Sequence, residues 1–186
     1  DHLAQTMAFD ELLTCSLFYI SLFEVTKSPV VDVVDPGGLV RSQAISSLDG
    51  SLRLTLNGAE THRTLAGRFM EDSFGSSVQH VALAAEDIFV AANAMATNGF
   101  QPLAIPANYY HDLAARLGLD QTLIDRLQKS NILYDEDAEG TFFQFYSKPF
   151  GNGIFFEVVH RGYFDVVFYV LIIVIPVVNL LNVIRL

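Results

Sequence analysis

Five histidines and 21 acidic residues are the side chains in this sequence that could bind a metal or move a proton. Three of them stand in unusual places. His2 opens an extended pattern, His80 lies inside the strand-like run Val78 to Ala84, and Glu157 interrupts the apolar stretch of Ile154, Phe155, Phe156, Val158 and Val159. A carboxylate in a strand that should be largely buried needs a partner, and a metal is one good partner. Two neutral imidazoles and one carboxylate on one face leave coordination positions open, which suits Fe(II) when substrate and O2 must both bind. Zinc, manganese or magnesium fits the same donors less distinctively. For each histidine taken alone, the competing reading is an ordinary packed or solvated residue. His62, His111 and His160 have polar or loop surroundings and read as solvated.

No local helix motif can join positions so far apart, so the elements must do it. Phe9, Leu12, Leu13, Leu17, Ile20 and Phe23 recur at three- and four-residue steps, which predicts a helix over 9–23 with one buried stripe. A strand carrying His2 precedes it. The β-branched run Val30 to Val34, the turn composition Asp35-Pro36-Gly37-Gly38, and a second extended segment from Leu39 to Ile45 follow. Leu52, Leu54 and Leu56 alternate with Arg53, Thr55 and Asn57, a third strand with one apolar and one polar face. After the linker Gly58 to Gly75, which shows no strong period, the same order returns. Val78 to Ala84 is a strand, Glu86-Asp87 suits a helix N-terminus, and Ile88, Phe89, Ala92 and Met95 continue a helix to Asn98-Gly99. An insertion holds Pro106-Ala107-Asn108-Tyr109-Tyr110 and two short helical patterns, 111–117 and 121–129. Strands at 132–134, 141–146 and 154–160 complete the second unit. The expected architecture is α+β, with two tandem βαβββ units at about 1–58 and 78–161 that close a cup. His2 and His80 then lie on the first strands of the two units, and Glu157 on the last strand of the second.

At 186 residues and 51% apolar composition the chain supports one ordinary folded domain, placed at 1–163. A net charge of −10 with only 11 Lys and Arg argues against a nucleic-acid partner and favours a small molecule. Cys15, the single cysteine, falls among Leu12, Leu13 and Leu17 and reads as a core residue. The chain begins Asp-His inside a strand, which points to residues or a whole domain upstream. At the other end, 164–186 is an apolar tail whose stretch Val166 to Ile184 is nearly all apolar and has the length of a membrane-spanning helix. Three readings of the tail stand side by side: a membrane anchor, a partner-docking helix, and an altered end. With Lys148 and Arg161 before it and only Arg185 after, an anchor places the folded part on the cytoplasmic side.

Val78-Gln79-His80-Val81-Ala82-Leu83 followed by Glu86-Asp87-Ile88-Phe89 resembles the second metal-histidine strand of the 4-hydroxyphenylpyruvate dioxygenase family. Ile132 to Asp137 with Gly140, then Phe143-Gln144-Phe145-Tyr146-Ser147-Lys148-Pro149, is similar to that family's next hairpin. Phe155-Phe156-Glu157-Val158-Val159-His160-Arg161 resembles its metal-carboxylate strand, and Asp1-His2 the entry to its first metal strand. The resemblance covers residues 1 to about 163 and corresponds to the C-terminal, metal-binding half, of the vicinal-oxygen-chelate fold. Around Ile105 to Ala114 the chain looks closer still to the dioxygenase-like C-terminal domain of bacterial 3-dehydroshikimate dehydratases.

The resemblance implies His2, His80 and Glu157 as ligands of Fe(II) and O2-dependent chemistry on an aromatic keto acid. It also places Ser42, Asn57, Gln79 and Gln144 as polar residues around the substrate and Phe155 as an aromatic wall. Amides and a hydroxyl can orient a keto acid without competing for the metal. Asn57 could instead end a strand at Gly58, and Gln144 could serve a sheet edge. The match stops near Gly162-Tyr163, before the helix that closes the family's active site, and without a lid water enters. Two functions follow: an Fe(II) dioxygenase-like domain, or a degenerate, membrane-held accessory subunit of a larger complex.

Overall fold

The computed structural model describes residues 1–162 other than Pro36 and Glu139. The apolar tail 164–186, with its candidate membrane helix, lies outside the described residues. No helix among those described is long and apolar enough to cross a membrane. Chain contacts divide the molecule into two compact units, residues 1–82 with 149–155, and residues 83–148 with 156–162.

The first unit opens with β1 (His2–Ala8), a 3-10 turn (Phe9–Glu11) and α1 (Leu12–Leu22). It continues through β2 (Val25–Lys27), β3 (Val31–Asp35), β4 (Gly38–Ser47), β5 (Arg53–Ala59) and α2 (Leu65–Asp72) into β6 (Ser77–Ala84). Its strands run in the order β2-β4-β5-β1-β6, with β3 also paired to β4. β1 lies parallel to β5, with Leu3 opposite Leu54 and Thr6 opposite Asn57. It lies antiparallel to β6, with His2 opposite Ala82 and Ala4 opposite His80. One face of this sheet is apolar. Met7, Leu12, Ile45, Leu54 and Leu56 form its core, with Cys15 packed against them as expected, and each such side chain contributes about 1.5–3 kcal/mol of burial.

α1 corrects the predicted stripe. Leu13 and Leu17 are 64% and 54% exposed and Ile20 and Phe23 also face out, whereas Leu12 and Ser16 are buried. The packed side is Leu12, Cys15, Ser16 and Tyr19. α1 is apolar all round, so periodicity could not choose its face. Polar contacts do so: the Ser16 hydroxyl donates to Gln43 Oε1 at 2.7 Å and the Tyr19 hydroxyl to Gln5 Oε1 at 2.8 Å. Two elements, β2 and α2, stand where none was expected. α2 is capped by Thr64, whose Oγ1 accepts from Gly67 N at 3.0 Å, and packs Ala66 and Met70 onto Val33, Val40 and Ala59. Gly67 is required there, since a Cβ would meet the Thr61 carbonyl oxygen at 2.2 Å.

The second unit holds α3 (Ile88–Thr97), α4 (Ala107–Leu117), α5 (Gln121–Lys129), β7 (Leu133–Asp137), β8 (Gly140–Tyr146) and β9 (Phe155–Gly162). Asp87 caps α3 as its position suggests, accepting from Phe89 N at 2.8 Å and Val90 N at 3.0 Å. α4 begins four residues earlier than its pattern, at Ala107, behind the extended Pro106. The strands are antiparallel in the order β9-β8-β7. On one face Phe143 meets Phe89 of α3 edge-on at 6.2 Å, and Phe145 meets Phe100 at 5.9 Å. His160 belongs to this face. It was expected to be solvated, yet its Nδ1 lies 3.0 Å from the Ala85 carbonyl oxygen and its ring 5.6 Å from that of Phe143. Strand alternation with Val158 turns it onto the helix-covered side.

Candidate functional site

The face of the first unit's sheet opposite the apolar core is buried and polar. Alternation along β1 puts His2, Ala4 and Thr6 on this face. Pairing adds Thr55 and Asn57 from β5, Ser42, Ala44 and Ser46 from β4, and His80 and Ala82 from β6. Thr6, Ser42, Ser46 and Thr55 are all buried. The predicted polar face of the third strand is therefore real but turned away from solvent.

His2 and His80 meet on this face. Their rings stand edge to face with centroids 5.5 Å apart and planes at 81°, and the residues are only 5% and 7% exposed. A β-bulge contributes to the placement. Ala4 pairs with His80 and Gln5 with Val78, so Gln79 is the extra residue outside the ladder. Gln79, a predicted substrate residue, is half-buried there. Phe155, the predicted wall, stacks on His80 at 4.8 Å and 20°. Ser42 and Asn57 pair across β4 and β5, and the Ser42 hydroxyl donates to Asn57 Oδ1 at 2.7 Å. This leaves the Asn57 amide N–H groups as its remaining hydrogen-bonding groups. The pair lies four residues along β1 from His2, on the order of 13 Å.

Glu157 and Gln144 belong to the second unit. Tyr146 is directly opposite Glu157 and Gln144 opposite Val159, so Gln144, Tyr146, Glu157 and Arg161 share one face of β8 and β9. Glu157 is 2% exposed. Burial first, and then the adjacent Glu157 carboxylate, hold the Tyr146 phenol well above its usual range. Its hydroxyl donates to Gln144 Oε1 at 3.0 Å. With that oxygen engaged, the buried Gln144 Nε2 has no hydrogen-bond partner among the described residues and is the donor left for a ligand. Burial lowers the Arg161 guanidinium from its ordinary value, opposed by Glu157, and its carbon lies 4.7 Å from the Phe142 ring centroid.

Tyr146 and Arg161 come to the face of Glu157, and Arg53 to Asp1, only through strand pairing. The spacing of Gln144 and Tyr146 puts both on one side of a strand, a signal present in the sequence. That Tyr146 faces Glu157 is a matter of register, which the sequence does not display.

Over 162 residues, 87% of this chain, the sequence is 40% identical to 3-dehydroshikimate dehydratase from Pseudomonas putida, and the match occupies 26% of that protein. A 4-hydroxyphenylpyruvate dioxygenase from Caenorhabditis elegans is 32% identical over 132 residues, 66% of this chain and 34% of its own. A solved fusion of a xylose isomerase-like TIM barrel with 4-hydroxyphenylpyruvate dioxygenase superposes with a TM-score of 0.75 at 33% identity. The match covers 95% of this chain and 28% of that one. A mutant 4-hydroxymandelate synthase from Streptomyces coelicolor reaches 0.79 at 23% identity, over 89% and 49% of the two chains, a likeness of fold alone. No family model matches. The chain thus spans about a quarter of the length of the dehydratase and a third of the worm dioxygenase. Its mixed α/β fold is of the vicinal-oxygen-chelate type.

Proposed function

Because this chain belongs to the family that the 3-dehydroshikimate dehydratases and 4-hydroxyphenylpyruvate dioxygenases share, we propose that its dioxygenase-like domain binds one divalent metal through His2, His80 and Glu157. The observation that carries this reading is the donor set. His2 and His80 meet edge to face on one sheet, the resemblance supplies Glu157 as the carboxylate, and all three are buried. Imidazole and carboxylate donors in that ratio fit Fe(II) first, with manganese, magnesium and zinc as alternatives. When bound, the metal supplies an electrophilic centre with positions left for substrate oxygen and O2.

The chain's own residues would bind and orient an aromatic or other α-keto acid. Asn57 and Gln144 each have one oxygen occupied, by Ser42 and by Tyr146 respectively, so each presents N–H donors suited to carboxylate and carbonyl oxygens. Phe155 offers a ring face, held by its stack on His80. Tyr146 stays protonated at neutral pH, since burial raises its phenol, and so serves as a donor rather than a base.

Metal analysis of the purified protein and oxygen consumption with 4-hydroxyphenylpyruvate test this reading. The expected result is one equivalent of Fe(II) after reconstitution, lost in His80→Ala, with oxygen uptake that depends on both metal and keto acid. A protein that binds no divalent ion, or a His80→Ala variant that binds it unchanged, overturns the site. Metal binding without oxygen uptake overturns the activity alone.

A further inference from the structure

The first imidazole is gripped from behind. Asp1 Oδ1 lies 2.8 Å from His2 Nδ1, and the two side chains are 4% and 1% exposed. Arg53 Nη1 stands 3.7 Å from the other carboxylate oxygen, Oδ2. The backbone fixes both partners. The Asp1 backbone nitrogen donates to the Ala82 carbonyl oxygen at 2.7 Å, and the parallel pairing of Leu3 with Leu54 brings Arg53 on β5 alongside the start of β1.

We infer that Asp1 and Arg53 are positioning residues for His2: Asp1 accepts the Nδ1 proton, keeps the neutral ring in its Nδ1–H form and leaves the Nε2 lone pair to the metal, while Arg53 fixes the rotation of the carboxylate. The inference rests on the metal-site reading above. Its physical basis is that a neutral imidazole can ligate through Nε2 only with its proton on Nδ1, whereas free imidazole side chains in water favour the other tautomer. A buried carboxylate at Nδ1 reverses that preference, because a charge-assisted hydrogen bond is about twice as strong as a neutral one. Such outer partners of metal-binding histidines typically alter affinity by about 10–100-fold. Arg53 provides the counter-charge that makes a buried carboxylate tolerable at this place. Its 3.7 Å separation is that of an ion pair rather than a tight hydrogen bond, so its effect should be the smaller.

Two measurements separate this role from a purely structural one. Nitrogen-15 NMR of the histidine rings in metal-free protein reads the tautomer directly, and calorimetric titration with Co(II) reads the affinity. In the native chain His2 should show Nδ1–H. Asp1→Ala should move the proton to Nε2 and weaken Co(II) binding about 10–100-fold. Asp1→Asn, whose amide oxygen still accepts, should keep the Nδ1–H form and recover most of the affinity, and Arg53→Gln should cost only a few-fold. A native His2 with its proton on Nε2, or an Asp1→Ala variant with unchanged tautomer and affinity, overturns the inference. Failure of the metal-site reading looks different: native Co(II) affinity in His80→Ala would remove that reading while the tautomer still reported on Asp1.

Discussion

At the scale of single residues, the chemistry rests on side chains whose surroundings differ from what their types suggest. Glu157 lies in a strand with Val158 and Val159 and is buried, facing Tyr146 and sharing its face with Arg161. The ligand role proposed for it requires the carboxylate charge, which an amide does not supply. Glu157→Gln should lower Co(II) or Mn(II) affinity by more than about 100-fold, beyond the 10–100-fold usual for outer partners. Calorimetry checks this, and unchanged affinity would remove Glu157 from the ligand set. The proposed ligands and the proposed substrate residues Ser42, Asn57, Gln79, Gln144 and Phe155 are all legible in the sequence only through resemblance. Spacing alone left His2 and His80 with a bland alternative. What the sequence hides is the second layer. Asp1 is visible as a carboxylate beside His2, but Arg53 reaches it only through the pairing of β1 with β5.

Elements carry stability, and α1 shows how sequence pattern can mislead there. Its apolar residues repeat on every side, so the helix itself was legible while its buried face was not. That face is set by Ser16, Gln43, Tyr19 and Gln5, which are polar and carry no weight in a hydrophobic pattern. Leu12→Ala should therefore cost about 2–5 kcal/mol by creating a cavity, while Leu17→Gln should stay within about 0.5 kcal/mol because its side chain already faces water. Urea unfolding of the two variants distinguishes the observed face from the predicted stripe, and equal losses would restore the stripe. α2 escaped notice because Gly67 and charged residues blur its period. Its start is nonetheless defined by Thr64, buried and bonded to both Gly67 N and the Thr61 carbonyl. Thr64→Ala should cost about 1–2 kcal/mol, read from the same denaturation curves.

For the whole molecule, the buried tyrosines set the behaviour in alkali. Burial, chiefly, pushes the Tyr109 phenol up to about 12 and raises Tyr110, Tyr134 and Tyr146 as well, against about 10 in an unfolded chain. A group whose folded value is raised adds stability that is complete below the unfolded value and disappears as pH climbs through the folded one. The urea midpoint should therefore fall between pH 10 and about 12, with tyrosinate absorbance appearing together with unfolding. Ordinary phenol titration of the intact fold would contradict the burial. At neutral pH, bound metal should raise the unfolding free energy, by about 2.7 kcal/mol at a free concentration one hundred times its dissociation constant. A chelator should abolish the gain. A melting temperature indifferent to both additions would mean that the donors hold no ion.

The sequence by itself determined which residues form most strands and helices, because alternation along β5 and the capping acid at Asp87 are local signals. Through resemblance it also supplied the three candidate ligands. Only the tertiary structure decided which side of α1 packs, that α2 exists, that His160 turns inward, and that the polar face of β5 is buried. It also decided the bulge at Gln79 and the grip of Asp1 and Arg53 on His2. The reason is common to all of these: register and burial depend on partners far away in the chain, and no window of neighbouring residues contains them. His2 is the clearest case. Its type and place suggest a ligand, but only the pairing of β1 with β5 brings Arg53 to the Asp1 carboxylate beside its ring.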